Sequence, residues 1–153
     1  GKVSEIDRHY IDWLHKLADK LGIEDYVEFK FNISEIEKLE LLEKARVLVQ
    51  PSPIEGFSIV VAEANRCGTP VVVSDGVPSD VVIDGYNGPV YPFGDTEALA
   101  AAIVELMKND ILWSRMSTNA FEWSKQFTWE SSVFEFLRIL KHVYHKQVTG
   151  DSN

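Results

Sequence analysis

Apolar residues at Ile6, Tyr10, Leu14, Leu17 and Leu21 recur at three- and four-residue steps. That spacing predicts a helix closed by Gly22. Val27–Phe31 (V-E-F-K-F) alternates and predicts a short strand. Ser34 with Glu37 forms a capping box that opens a helix with Ile36, Leu39 and Leu42 on one face. Its E-I-E-K-L-E-L-L-E-K run reads as an exposed amphipathic helix with ion pairs. Arg46–Gln50 (R-V-L-V-Q) predicts a second strand, ended by Pro51 and Pro53. Periodicity alone does not decide Ser58–Cys67, because I-V-V-A suits a strand as well. The Ala62-Glu63-Ala64 continuation and the stop at Gly68 favour a helix. Pro70–Ser74 (P-V-V-V-S) is a continuous apolar run, suited to a parallel strand buried on both faces.

Asp84-Gly85 and Asn87-Gly88 bracket a tight turn before a short strand at Pro89–Tyr91. Asp95 or Thr96 caps a helix carrying Leu99, Ile103 and Leu106. A further helix covers Ile111–Ser124. The last begins after Thr128 with Trp129, Val133, Phe136, Leu137, Leu140 and Tyr144. Strands alternating with helices predict an α/β fold, a Rossmann-like parallel sheet flanked by helices. Right-handed crossovers gather the strand C-termini along one edge, where such sheets bind ligands. One domain is expected over residues 1–149, with a disordered polar tail at 150–153.

Composition narrows the function. A chain of 153 residues buries roughly 68–70% of its unfolded surface and needs no staple. The single cysteine, Cys67, excludes an internal disulfide and provides no zinc cluster; a reducing cytoplasm is the expected setting. A net charge of −9 argues against a nucleic-acid partner but not against one local anion site. No apolar stretch reaches the roughly 18 residues of a membrane span.

The segment Pro51–Ser74 runs strand end, Pro/Gly loop, helix, strand, so its loop falls at the ligand-binding edge. Gly56 permits close backbone approach or a positive φ. The N–H groups of Phe57, Ser58, Ile59 and Val60 lie around a helix N-terminus, a ready anion site without a basic side chain. Glu55 and Glu63 bracket it. Carboxylates repel phosphate but accept from hydroxyls, so donors for phosphate flanked by acceptors for hydroxyls suit a sugar–phosphate compound. Hydroxyls on both sides of its phosphates make a nucleoside diphosphate sugar the best fit. For each glutamate alone, a cap or a solvated helix position is the competing account.

P-S-x-x-E-G-F, a second Glu eight positions on, and C-G-T-P-V-V-V-S together resemble the C-terminal half of retaining GT-B glycosyltransferases of the glycosyltransferase 4 type. The resemblance continues through D-G-Y-N-G (Asp84–Gly88), G-D-T-E-A-L-A (Gly94–Ala100) and F-T-W-E (Phe127–Glu130). It implies that Glu55 holds donor-sugar hydroxyls in the catalytic site and that Gly56–Val60 meet sugar and diphosphate. It implies that Glu63 binds the ribose and that Asn32 lies beside the base. The donor is then a UDP-, GDP- or ADP-sugar, transferred with retention, with no cofactor or metal. Glu55 acts by positioning and electrostatic support rather than as a nucleophile.

Two departures matter. D-G-V-P-S-D-V-V stands where G-G-x-x-E is common, with Ser79 for the Glu, which leaves the sugar open. The chain also opens after the point where two central strands and a basic pair are expected; Lys2 and Arg8 are not that pair. It reads as part of a longer enzyme, inactive alone, whose absent N-terminal domain would hold a glycan, lipid or small-molecule acceptor and any peripheral membrane contact. Loss of those strands exposes sheet edges through which copies could pair. A non-catalytic α/β binding module and a sugar-nucleotide epimerase-like enzyme are the alternatives. Trp113, Trp123, Trp129, Cys67 and the four histidines read as packing or solvated positions.

Overall fold

The computed structural model describes residues 5–149, with the side chains of 5–7, 142, 143 and 145–149 left out. The 150–153 tail and Lys2 therefore fall outside the described residues, as do the side chains of His142 and His145. The chain divides into two compact units, Gly1–Lys38 and Leu39–Asn153.

In the first unit, α1 (Glu5–Lys20) forms where the periodicity places it. A single 3-10 turn, Glu24–Tyr26, follows. The strand expected at Val27–Phe31 is absent: these residues are irregular, and the Phe29 and Phe31 rings stack at 6.4 Å. Alternation offers one face for burial, but a strand also needs a hydrogen-bonding neighbour, and among the described residues the segment pairs with none. The helix α2 (Glu35–Lys44) starts where predicted, with the Glu37 amide donating to Ser34 Oγ at 3.2 Å. Its outer face carries ion pairs such as Lys38–Glu35 and Lys44–Glu40. Its expected apolar face is not buried as a stripe. Ile36 and Leu39 are exposed and only Leu42 is buried.

The second unit is built on three parallel strands in the order β1-β2-β3: Leu48–Gln50, Val71–Ser74 and Val90–Tyr91. Between them run α3 (Ile59–Arg66), after β1, and then α4 (Thr96–Lys108), α5 (Asp110–Ser124) and α6 (Trp129–Thr149) after β3. All four residues of β2 are buried. Val71 and Val73 join Val61 and Ala64 of α3 in one core, while Val72 packs with Leu106 of α4 and Met116 of α5 in the other. A strand covered on both faces needs no polar alternation, which is why its sequence is uniformly apolar. The fold is the Rossmann-like α/β arrangement the sequence predicts. Among the described residues, β1 and β3 each pair only with β2, so both lie at sheet edges.

Caps set the remaining boundaries. Asp95 accepts from the Ala98 amide, Asn109 from Leu112 and Thr128 from Ser131. Gly68 takes φ 72 immediately after α3, a conformation that costs a side chain-bearing residue roughly 1–2 kcal/mol. Trp113 and Trp123 pack as expected, their indoles donating to the carbonyls of Arg46 and Asp80. Trp129 is 85% exposed, and Val133, Phe134, Phe136 and Leu137 of α6 are exposed with it. Cys67 is half-buried, and burial, then Glu43 and Glu63, push its thiol pKa up. That is the setting of an unreactive packing cysteine. No helix among the described residues is long and apolar enough to cross a membrane.

Candidate functional site

The loop from Pro51 to Ser58 leaves the C-terminal end of β1 and turns into α3, so it sits at the ligand-binding edge of the sheet. Two connections pin it there. The Glu55 amide donates to the Gly76 carbonyl at 2.9 Å, and Ser74 Oγ donates to the Ser52 carbonyl. Gly76 permits this approach: a Cβ there would stand 2.4 Å from the Pro53 oxygen. The D-G-V-P-S-D loop thus lies against the Glu55 loop. Its Val77 is buried in the core, and Ser79 is exposed.

Glu55 is half-buried and is not a helix cap. Its Oε1 accepts from Gln50 Nε2 and from Ser52 Oγ, both at 2.8 Å, and Gln50 Nε2 also donates to Ser52 Oγ at 2.9 Å. Gln50 and Ser52 are site residues that the sequence alone did not reveal. The available signal was a polar residue ending an otherwise apolar strand.

Gly56 does not adopt a positive φ, and a Cβ on it would meet nothing within 4 Å. The left-handed residue of the loop is Ser58, at φ 56. Ser58 is the N-cap of α3 yet makes no side-chain cap, and its hydroxyl is buried without a partner among the described residues. The first backbone bonds of the helix run from Val61 and Ala62 to the Ser58 carbonyl. The N–H groups of Phe57, Ser58, Ile59 and Val60 therefore donate to no described backbone or side-chain acceptor. They form the orphan set of a helix start, with the positive end of the helix dipole behind them.

Ser58 carries two local costs, the left-handed backbone and the unpaired hydroxyl. Ser58→Gly removes both at the expense of about 0.5–1 kcal/mol of chain entropy. It is expected to raise the unfolding free energy by about 1 kcal/mol, read as a higher denaturant midpoint at constant slope. Ser58→Ala isolates the hydroxyl and is also expected to stabilise. A lower midpoint in both variants would contradict the local strain.

Glu63, in the second turn of α3, is half-buried and lines a cleft of about 660 Å³ with Phe57, Ile59, Arg66, Phe127 and Trp129. The Phe57 ring meets Phe127 edge-on at 5.4 Å. Glu55 and Glu63 thus flank the same helix start, one before it and one inside it. Asn32, at φ 54, belongs to the first unit.

A D-inositol 3-phosphate glycosyltransferase from Streptomyces bingchenggensis is 33% identical to the chain over 122 residues, 78% of this chain and 27% of that protein. Among solved structures, sucrose-phosphate synthase from Thermosynechococcus elongatus superposes with a TM-score of 0.76 at 27% identity. The match covers 86% of this chain and 33% of the synthase chain. The Anabaena HepE protein in complex with UDP-glucose superposes with a TM-score of 0.72 at 26% identity, covering 78% of this chain and 33% of HepE. The chain spans about a quarter to a third of the length of these relatives. The sequence model of the family described as glycosyl transferases group 1 matches residues 7–123. The sheet has the GT-B Rossmann-like fold of these structures, and the chain belongs to the group 1 family of glycosyl transferases.

Proposed function

We propose that the chain is the donor-binding domain of a retaining glycosyltransferase whose substrate is a nucleoside diphosphate sugar. The observation that carries this reading is the open start of α3. Four unspent N–H groups, Phe57–Val60, lie between two carboxylates, and no basic side chain is required. An α- or β-phosphate at the N–H cluster would gain charge-assisted hydrogen bonds. As the bond from the anomeric carbon to the diphosphate oxygen breaks, negative charge grows on that leaving group. Donors already in place then stabilise the charge without reorganising.

Glu55 takes a hydroxyl of the donor sugar and supports the positive, oxocarbenium-like carbon electrostatically. Glu63 takes the ribose hydroxyls. The reading calls for no metal and no covalent glycosyl intermediate on Glu55. The acceptor, a glycan, lipid or small molecule, is held by another part of a longer protein. A uridine nucleotide is the first to test, since the HepE structure holds UDP-glucose.

The test is a thermal-shift panel with UDP, GDP and ADP and their common sugar conjugates, on the parent chain and Glu63→Ala. A ligand at about 100 times its dissociation constant adds roughly 2.7 kcal/mol to the folded state. One nucleotide series is expected to shift the parent, and that shift is expected to vanish in Glu63→Ala. No shift with any series, or a shift untouched by Glu63→Ala, would sink the reading.

A further inference from the structure

We infer that Gln50 and Ser52 are positioning residues that clamp the Glu55 carboxylate by one oxygen and present the other to the donor sugar. This rests on the proposed donor site. Both clamp donors converge on Oε1, at 2.8 Å each. Among the described residues nothing donates to Oε2.

The geometry fixes the proton assignment. A carboxylate only accepts, so the Gln50 amide must face it with its NH2, and the Ser52 proton must lie on the line to Oε1. Gln50 Nε2 also reaches Ser52 Oγ at 2.9 Å. The three side chains therefore close a ring in which each hydrogen bond orients the next.

The ring stands on rigid ground. Gln50 is the last residue of β1, in register with buried Val73 of β2. Ser52 is tied to Ser74 through its carbonyl, and the Glu55 backbone is tied to Gly76. An isolated glutamate in an open loop would sample several rotamers and lose that freedom on binding. Here the carboxylate is already oriented, so a sugar hydroxyl meets a fixed acceptor. The clamp also divides the work. The hydroxyl-accepting oxygen is set by β1 and its loop, whereas the phosphate-binding N–H groups belong to the start of α3. Sugar recognition and diphosphate recognition are separable.

The experiment is calorimetric titration of the 153-residue chain with UDP-glucose and UDP, with the GDP-mannose/GDP and ADP-glucose/ADP pairs run alongside. The variants are Gln50→Leu, Ser52→Ala, Ser52→Thr, Glu55→Gln and the double variant Gln50→Leu/Glu55→Gln. The quantity read is the affinity ratio of sugar nucleotide to nucleotide. Gln50→Leu and Ser52→Ala are expected to lower that ratio about tenfold, the scale of one charge-assisted hydrogen bond. Affinity for the nucleotide alone is expected to move less than about twofold. Ser52→Thr, which keeps the hydroxyl, is expected to restore the parent ratio. In the double variant Gln50→Leu is expected to add nothing to Glu55→Gln, because the clamp has lost the group it holds.

A parent-like ratio in Gln50→Leu and Ser52→Ala, with a reduced ratio in Glu55→Gln, overturns the clamp and leaves the donor site standing. A parent-like ratio in Glu55→Gln overturns the donor-sugar role of Glu55, and the clamp with it. If the parent binds none of the probes, the donor reading falls and the clamp is read from the Gln50 side-chain amide resonance. A displacement that disappears in Glu55→Ala supports the clamp; a resonance unmoved by that substitution overturns it.

Discussion

Gly88→Ala is expected to leave little folded protein. A Cβ at Gly88 would stand 2.0 Å from the Val71 carbonyl oxygen and 2.9 Å from the Val71 carbonyl carbon and Cγ2. Relief requires moving backbone, and neither side is free to move. Val71 opens β2, which is hydrogen-bonded on both sides. The Gly88 carbonyl accepts from Gly85, and Val73 donates to Pro89 at 3.2 Å. An approach of 2.0 Å to backbone is far inside any tolerated contact, so the loss is expected to exceed the roughly 1–3 kcal/mol of ordinary overpacking and to approach the total stability of about 5–15 kcal/mol. Gly85→Ala is the control. It lies in the same turn at φ 71 with open space around a new Cβ, so it carries only the left-handed cost of about 1–2 kcal/mol. Circular dichroism and denaturant titration of the pair check this. Equal losses in the two variants would show that steric approach to Val71 is not what Gly88 supplies.

The same turn shows where sequence reasoning reached and where it stopped. The dipeptides Asp84-Gly85 and Asn87-Gly88 mark a turn because their chemistry is local, and the turn forms, with an Asp84–Gly88 bridge. Local signals are equally sufficient at Ser34 and Asp95, which cap the helices they are expected to cap, and at Thr128, after which the last helix begins as expected. The apolar run at Val71–Ser74 became the central strand because burial on both faces needs no more than continuous apolar character.

Long-range partners were the limit. Val27–Phe31 has the alternation of a strand but, among the described residues, no neighbour to bond with. Ile36 and Leu39 have helical spacing, but among the described residues no surface covers them. At the candidate site, the glutamates and the open helix start were legible from Pro/Gly punctuation and residue type. The Gln50–Ser52–Glu55 ring was not, because it depends on where a strand ends relative to the loop that follows. Nor was the left-handed residue, which is Ser58 rather than Gly56. Glycine is permitted that conformation but not compelled to take it, so its presence does not locate the strained position.

Asn87→Asp is expected to turn stability into a steep function of pH. Asn87 is fully buried; its Nδ2 donates to Val81 O at 3.0 Å and to Asn65 Oδ1 at 3.3 Å, and its Oδ1 accepts from the Ile83 amide at 2.8 Å. Asn65, also fully buried, sits on α3 and donates to the same Val81 carbonyl at 2.9 Å. A carboxylate at position 87 would face two carbonyl-type oxygens with no proton to offer and no counter-ion. Burial therefore raises its folded pKa above the unfolded value of about 3.9. With a raised folded pKa, the variant is closest to the parent below about pH 3.9 and loses stability as pH rises, at roughly 1.4 kcal/mol per pH unit. The loss levels off above the folded pKa, and at neutral pH the deficit is about 3–5 kcal/mol. Even protonated, the acid offers one O–H where the amide offers two N–H, so a smaller deficit remains at low pH. Urea midpoints of parent and variant at pH 4 and pH 7 decide it; a constant difference between them would contradict the buried network. Under the proposed donor reading the same pH dependence is expected for nucleotide binding, because the Asn65–Asn87 contact anchors the helix that carries Val60 and Glu63. The Asp84–Gly88 turn thereby holds in place the helix on whose first turn the phosphate of the proposed donor would rest.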